Sequence, residues 1–447
     1  MLYKSVDELN NDLNGVLELG DGKVSKVLDA AKLRGEVIDN LIYTAIFGEE
    51  SVRQPARDII AGSAAALGIQ PHSIQGLYEA MGRGEVSGLS VPAINLRALQ
   101  YDSARAILQS AHKLNVGPVL FEIARSEMGY TFVRPAEYTA NILAAAIKEG
   151  HQGPVFIQGD HFQISASGYK ADATKEVQGL KDLTKEAIEG GFLNIDIDSS
   201  TIVDLDRPTV KEQQRPNFTV AAEMVRFIRA TQPAGVDVSI GVEIGEVGGK
   251  NTTPEEMRAF MEGLNEELAG SGLKGPSKIS VQTGSSHGGV VLPDGTVAKV
   301  NIAFETLEEI SRVARKEYGM AGAVQHGAST LPDEMFHRFV EVETAEIHLA
   351  TNFQTMIYDM IPDDLRNDIY AYLKENNRKE WKEGQTEAQF IYSTRKKGIG
   401  PFKRQLWDLP MSKRDSIRAE LADRFAFYFE KLRVTDTAAL IDRYIKS

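Results

Sequence analysis

GPVFIQGDH, residues 153–161, is an apolar run too short for a helix, and it ends on an acid and an imidazole. That is the composition of a strand buried on both faces whose C-terminal end leaves the core. KISVQTGSSH (278–287) and AGAVQH (321–326) close the same way. Working outward, the strand candidates number eight: LSVPAIN (89–95), PVLFEIA (118–124), PVFIQGD (154–160), FLNIDID (192–198), VDVSIGVEIG (236–245), KISVQTG (278–284), GAVQHG (322–327) and AEIHLAT (345–351). Amphipathic stretches such as SARAILQSAHKL, AEYTANILAAAIKEG and FETLEEISRVARKEYG fall between them. Eight strands with helical partners predict an α/β fold, a (β/α)8 TIM barrel rather than an open doubly wound sheet.

Before the barrel, DELNNDLNGVLEL, GKVSKVLDAAKL, EVIDNLIYTAIF and VRQPARDIIAGSAAAL space apolar residues by three and four, which reads as a helical N-terminal extension over 1–86. The barrel is expected over 87–360. Residues 361–447 form a helical region that completes and extends it. No apolar run approaches the roughly 18 residues of a membrane span. The start MLYKSVDELNND carries acids where an export signal needs a basic and then an apolar segment, so the expected location is cytoplasmic. A formal charge of −13 opposes nucleic-acid binding, because phosphate backbones require a basic face.

There are no cysteines, so any metal must be held by nitrogen and oxygen. His161, His287 and His326 sit at equivalent ends of three strands of one sheet. Three imidazoles there can hold a borderline cation such as zinc with positions left open for a substrate oxygen. Asp160 precedes His161; strand alternation makes the two side chains diverge, yet the strand end can place both at the barrel mouth, and the carboxylate reads either as a proton-transfer group or as an acid that orients a ligand. Asp198 and Glu243 end neighbouring strands as alternate metal positions or as structural acids. The glycines of TGSSHGG (283–289) and HGAST (326–330) suit an anion cradle or tight turns equally, with Ser329 and Thr351 as extra donors. The basic segment STRKKGIGPFKR (393–404) is either a solvated face or a phosphate contact.

In order and spacing, VPAIN, QGDH, NIDIDSS, EIGEVGG, TGSSHGG, QHGAST and IHLATNF resemble the motifs of the class II, metal-dependent ketose-bisphosphate aldolases, from about Val91 to Gln354. The resemblance implies that His161, His287 and His326 hold a divalent cation, usually zinc, and that Asp160 takes the C4 hydroxyl proton as the C3–C4 bond breaks. It implies that Asp198 and Glu243 can hold a displaced or second metal, and that Asn95 contacts substrate. Gly288, Gly327, Ser329 and Thr351 would cradle the C1 phosphate with a monovalent cation, sodium or potassium. A homodimer or homotetramer is the implied assembly, with a phosphorylated sugar as substrate.

Three departures mark a long, divergent member. His348 stands where the family has asparagine, at a position that contacts the enediolate, which makes it a candidate acid/base. The loop after Gly249 reads KNTTPEE instead of carrying an aligned acid, and no lysine follows His287. With phosphorylated sugars in view, Arg395 and Lys397 become candidates for a second phosphate. The expected reaction is zinc-dependent cleavage of fructose 1,6-bisphosphate to dihydroxyacetone phosphate and glyceraldehyde 3-phosphate. The alternatives are a tagatose-bisphosphate aldolase, a sugar-phosphate 4-epimerase using the same cleavage, and a non-catalytic accessory subunit.

Overall fold

The computed structural model describes residues 2–20, 23–245, 249–284, 291–294 and 302–445. Its strands are β1 (Leu17–Gly20), β2 (Lys23–Val27), β3 (Ile69–Pro71), β4 (Val91–Asn95), β5 (Leu120–Ala124), β6 (Gly153–Gln163), β7 (Asn194–Asp198), β8 (Ser239–Glu243), β9 (Lys278–Ser280), β10 (Ala323–Gln325) and β11 (Glu346–Leu349). Strands β4 to β11 pair in parallel in chain order, and β11 returns to β4, so the sheet closes into the expected eight-stranded barrel. Several strands are shorter than their apolar runs. The run at 236–245 yields only Ser239–Glu243, and that at 278–284 only Lys278–Ser280.

Every residue of β4, β5, β7 and β8 is buried, as expected for parallel strands covered on both faces. The lumen is nevertheless polar. In NIDID, side-chain alternation puts Ile195 and Ile197 opposite Asn194, Asp196 and Asp198. Lys278 Nζ reaches across the lumen to Asp196 Oδ2 (2.9 Å), Glu346 Oε1 (2.5 Å) and Gln158 Oε1 (2.8 Å). Tyr78 OH donates to the other Glu346 oxygen. A buried cation is tolerated because three acceptors replace its hydration.

The N-terminal extension differs from the all-helical reading. β1 and β2 form an antiparallel hairpin where GVLEL and GKVSKV read as helix, and β3 joins β6 at its N-terminal end. The intervening Asp21–Gly22, outside the described residues, is a strong hairpin-turn dipeptide in the sequence. The hairpin lies on helix Glu50–Ala66, where a Cβ on Gly62 would come within 3.0 Å of Val24. In the C-terminal region helix Met411–Lys431 packs on helices Gln100–Lys113, Phe336–Glu341 and Thr351–Met360, so it fills the outer position between the last and first barrel units. Arg418 donates to the buried Asp102 at 2.9 Å and fixes it there. No helix among the described residues is long and apolar enough to cross a membrane.

Candidate active site

β6 is the longest strand, and its end is distorted in a way that sets up the site. Its register with β7 runs Gly159 to Ile195 and then Phe162 to Ile197, three residues against two. The extra residue is a bulge, and His161 within it adopts φ +41°. A left-handed histidine is sparsely populated backbone, and a bulge re-aims the side chains beside it. Regular alternation would part the two side chains; the bulge lets Asp160 and His161 converge at the strand end, as the sequence reading allowed. His161 Nε2 lies 3.9 Å from Asp160 Oδ1.

His326, at the end of β10, brings its own Nε2 to 3.8 Å from the same Asp160 oxygen, and the two rings are 4.2 Å apart between centroids. On the other side, His161 Nδ1 is 2.9 Å from Glu243 Oε1 and 3.4 Å from Asp198 Oδ2. Asp160, His161, Glu243 and His326 each offer a ligand atom within 4.8 Å of the others. Asp198 is oriented by Ser200, whose backbone N and hydroxyl donate to Oδ1 at 3.1 and 2.7 Å, and by Gln163. His287 and Gly288 lie outside the described residues.

The electrostatics fit a site for positive charge. Burial and then the neighbouring Asp198 push Glu243 up to about 8. Asp160 is also buried, yet His161 and His348 outweigh that and hold it well below the usual carboxylate range. Asp160 Oδ1 and Glu243 Oε1 are buried without a well-directed hydrogen bond. Mixed nitrogen and oxygen donors with unsatisfied carboxylate oxygens suit a divalent transition metal, whose charge would return Glu243 to its ionised form.

His161, His326, Asp198, Glu243 and Gly327 line a cleft of about 640 Å³, together with Arg97, Arg125, Glu127, Tyr130 and Lys396. Asp160 and His348 are among neither these lining residues nor the exposed ones. They lie under the histidines, Asp160 5% and His348 4% exposed. The His348 ring packs at a tilt against that of His326, 4.1 Å between centroids. Gly327, at φ +67°, leads into the turn Ala328–Thr330, where Ser329 Oγ accepts from the Asn352 backbone N at 3.4 Å. Thr351 opens helix Thr351–Met360, whose N-cap Ala350 supplies no side-chain cap. Asn95 is engaged with neighbours: Nδ2 donates to Glu127 at 2.6 Å and Oδ1 accepts from Arg97 at 3.2 Å.

In the basic segment, the structure puts the two singled-out cations to other uses. Arg395 is buried, donates to Thr355 Oγ1 at 2.6 Å and lies 4.3 Å from the Tyr392 ring. Lys397 pairs with Glu380 at 2.6 Å. Lys396, between them, is the one on the cleft wall. Sequence reasoning also passed over Arg97, Arg125, Glu122 and Lys278. A single charge inside an apolar strand run, as in PVLFEIA and KISVQTG, was the available signal for the last two.

Residues 77–396 match the family model described as fructose-bisphosphate aldolase class-II. None of the curated proteins matches the chain. Among solved structures, the fructuronate-tagaturonate epimerase UxaE from Cohnella laeviribosi is similar with a TM-score of 0.57 at 12% identity, covering 96% of this chain and 91% of that one. A probable tagatose 6 phosphate kinase from Sinorhizobium meliloti 1021 gives 0.54 at 18% identity, over 79% of this chain and 99% of that one. The YdjI aldolase from Escherichia coli K12 gives 0.51 at 14% identity, over 82% and 99%. At these identities the likenesses speak for the fold alone. The family match spans all eight barrel strands and every site residue described above, and on it the chain belongs to the class II fructose-bisphosphate aldolase family.

Proposed function

We propose that the chain catalyses metal-dependent aldol cleavage and condensation of a ketose bisphosphate, with fructose 1,6-bisphosphate the leading substrate. The observation that carries this reading is the gathering of Asp160, His161, Glu243 and His326 donor atoms within 4.8 Å, three of these residues lining a cleft that Arg97, Arg125 and Lys396 also line and Asp160 lying just beneath the histidines. His161 and His326, with His287 implied by family resemblance, would hold the cation, usually zinc. Glu243 and Asp198 would orient His161 through Nδ1 or take a displaced ion. When bound, the cation supplies Lewis acidity toward the ketose carbonyl and the negative charge that develops on it.

The protein's own groups do the rest. Asp160 accepts the C4 hydroxyl proton, which releases the aldehyde as the C3–C4 bond breaks. Gly327, Ser329 and the first turn of helix Thr351–Met360 receive the C1 phosphate, since backbone N–H groups and a helix N-terminus favour an anion, and a monovalent cation would assist there. Arg97, Arg125 and Lys396 meet the anionic group at the far end of the substrate. Lys396 takes the role that the sequence suggested for Arg395 and Lys397.

A second reading is 4-epimerisation by cleavage and recombination with inverted geometry. It is favoured by the fold likeness to the epimerase structure, which runs through both terminal regions as well as the barrel. Incubating the zinc-loaded protein separately with fructose 1,6-bisphosphate and tagatose 1,6-bisphosphate decides between them. Triose phosphates accumulating from one ketose support the aldolase reading. Appearance of an epimeric ketose without net trioses supports the second. Neither product from either ketose contradicts both.

A further inference from the structure

Helix Glu387–Thr394 opens on a capping box whose two side chains each have a second task. Within the box, Gln389 Oε1 accepts from the Thr386 backbone N at 3.1 Å and Thr386 Oγ1 accepts from the Gln389 backbone N at 3.3 Å, the reciprocal arrangement that starts a helix. The donors of the same side chains turn outward. The Thr386 hydroxyl donates to the Pro293 carbonyl at 2.8 Å, and Gln389 Nε2 donates to the Val291 carbonyl at 2.9 Å. The helix is a firm post for these two bonds. Phe390 and Ile391 are buried, Trp381 stacks on Phe390 at 4.6 Å between centroids, and Tyr358 OH donates to the Arg395 carbonyl at 2.6 Å.

Val291 and Pro293 belong to the connection between β9 and helix Phe304–Tyr318. The neck of that connection is closed where the Ala303 backbone N donates to the Thr283 carbonyl at 2.9 Å, and Thr283 Oγ1 donates to Gln325. In the sequence, His287 falls between these two fastenings, after Thr283 and before Val291. Fixing a residue on a ligand costs conformational entropy, and a chain already fastened on both sides of that residue loses less of it. We propose that Thr386 and Gln389 are positioning residues for the cation site: by holding Pro293 and Val291 they fix the chain that carries His287 and so slow the loss of a bound ion. The proposal rests on the ligand role given above to His287. The same helix continues into the turn Arg395–Gly398, which sets Lys396 on the cleft wall, so one element would support both the cation and the anion contacts of the site.

Gln389→Glu separates the two tasks, because a carboxylate still accepts from the Thr386 backbone N and cannot donate to Val291. Its added negative charge would by itself favour keeping a cation, so an effect of charge has the opposite sign to the one expected. Zinc-loaded proteins are challenged with excess chelator and zinc release is followed, and hydrogen exchange over 291–294 is read by mass spectrometry. A neutral hydrogen bond shifts an equilibrium by about two- to tenfold, and Gln389→Glu should release zinc faster by about that factor and exchange faster over 291–294. Thr386→Ser, which keeps both bonds, should behave as wild type. In a His287→Ala background, Gln389→Glu should change zinc release no further. Release that His287→Ala accelerates and Gln389→Glu leaves unchanged overturns the positioning role alone. His287→Ala releasing zinc as wild type does removes the ligand role of His287, and the proposal falls with it. An acceleration by Gln389→Glu that persists in full without His287 also overturns the proposal, since the helix then acts on the site by another route. Should Gln389→Glu fail to fold, Thr386→Asp, which keeps the N-cap acceptor and loses the bond to Pro293, takes its place in the same comparisons.

Discussion

Replacing Lys278 with methionine keeps the length and most of the volume of the side chain while removing the charge that the lumen is built around. In the native protein Nζ has three acceptors, at 2.9 Å from Asp196, 2.5 Å from Glu346 and 2.8 Å from Gln158, and the lysine is 1% exposed. Breaking a buried ion pair by removing one partner costs about 3 to 5 kcal/mol, because the remaining charge is stranded. Burial already raises Asp196 to about 6, so this group relieves part of the cost by taking a proton, and the lower end, about 3 kcal/mol at pH 7, is expected. Urea unfolding of the chelator-treated proteins measures it. The pH arm has a definite sign. Burial pushes Glu346 up, but Lys278 and His348 outweigh it and hold the group down at about 2, from 4.5. A depressed carboxyl contributes stability that is complete above its unfolded value and is lost as pH falls toward the folded one. The gap between wild type and Lys278→Met should therefore be full above about pH 4.5 and narrow below it. Adding Glu346→Gln to Lys278→Met should recover part of the loss. A change under about 0.5 kcal/mol at pH 7, or a gap constant from pH 7 to pH 3, would refute the claim that Lys278 stabilises ionised carboxylates in the lumen.

Three other outcomes are expected. Zinc added to chelator-treated protein at about 100 times its dissociation constant should stabilise the fold by about 2.7 kcal/mol, seen as a rise in melting temperature; no rise contradicts a cation site in the folded state. Lys396→Ala should raise KM for a ketose bisphosphate several-fold more than for the corresponding monophosphate, whereas Lys397→Ala, whose amine is paired with Glu380, should leave both unchanged; equal effects would return the role to the segment as a whole. Gly159→Ala places a Cβ 2.4 Å from the Phe162 ring and should cost about 1 to 3 kcal/mol by overpacking, with weaker zinc retention because the bulge that turns His161 is disturbed; unchanged retention would separate the bulge from the metal site.

Much of the barrel was legible because parallel strands buried on both faces leave dense apolar runs, and runs such as PVFIQGD and FLNIDID alternate with helices at readable intervals. Strand ends were less legible. In VDVSIGVEIG the ladder keeps only Ser239–Glu243, since pairing partners rather than composition set where hydrogen bonding stops. The β1–β2 hairpin was misread as helix because short β-branched runs such as KVSKV also fit a three- and four-residue spacing, and Asp21–Gly22 was the deciding cue. In the site, His161 and His326 were reached from strand ends alone. The bulge that turns Asp160 toward His161 was not, because alternation assumes a regular strand and a one-residue bulge breaks it. That Lys396 lines the cleft while Arg395 and Lys397 do not depends on which face of a single short turn meets it, and nothing in RKKG encodes that locally.

The most direct test of the central claim is X-ray diffraction from zinc-loaded crystals, collected on both sides of the zinc absorption edge. The account predicts an anomalous peak within about 2.0 to 2.2 Å of ring nitrogens of both His161 and His326, at the floor of the cleft lined by Arg97 and Lys396. Full zinc occupancy elsewhere with no peak between those two imidazoles would contradict it.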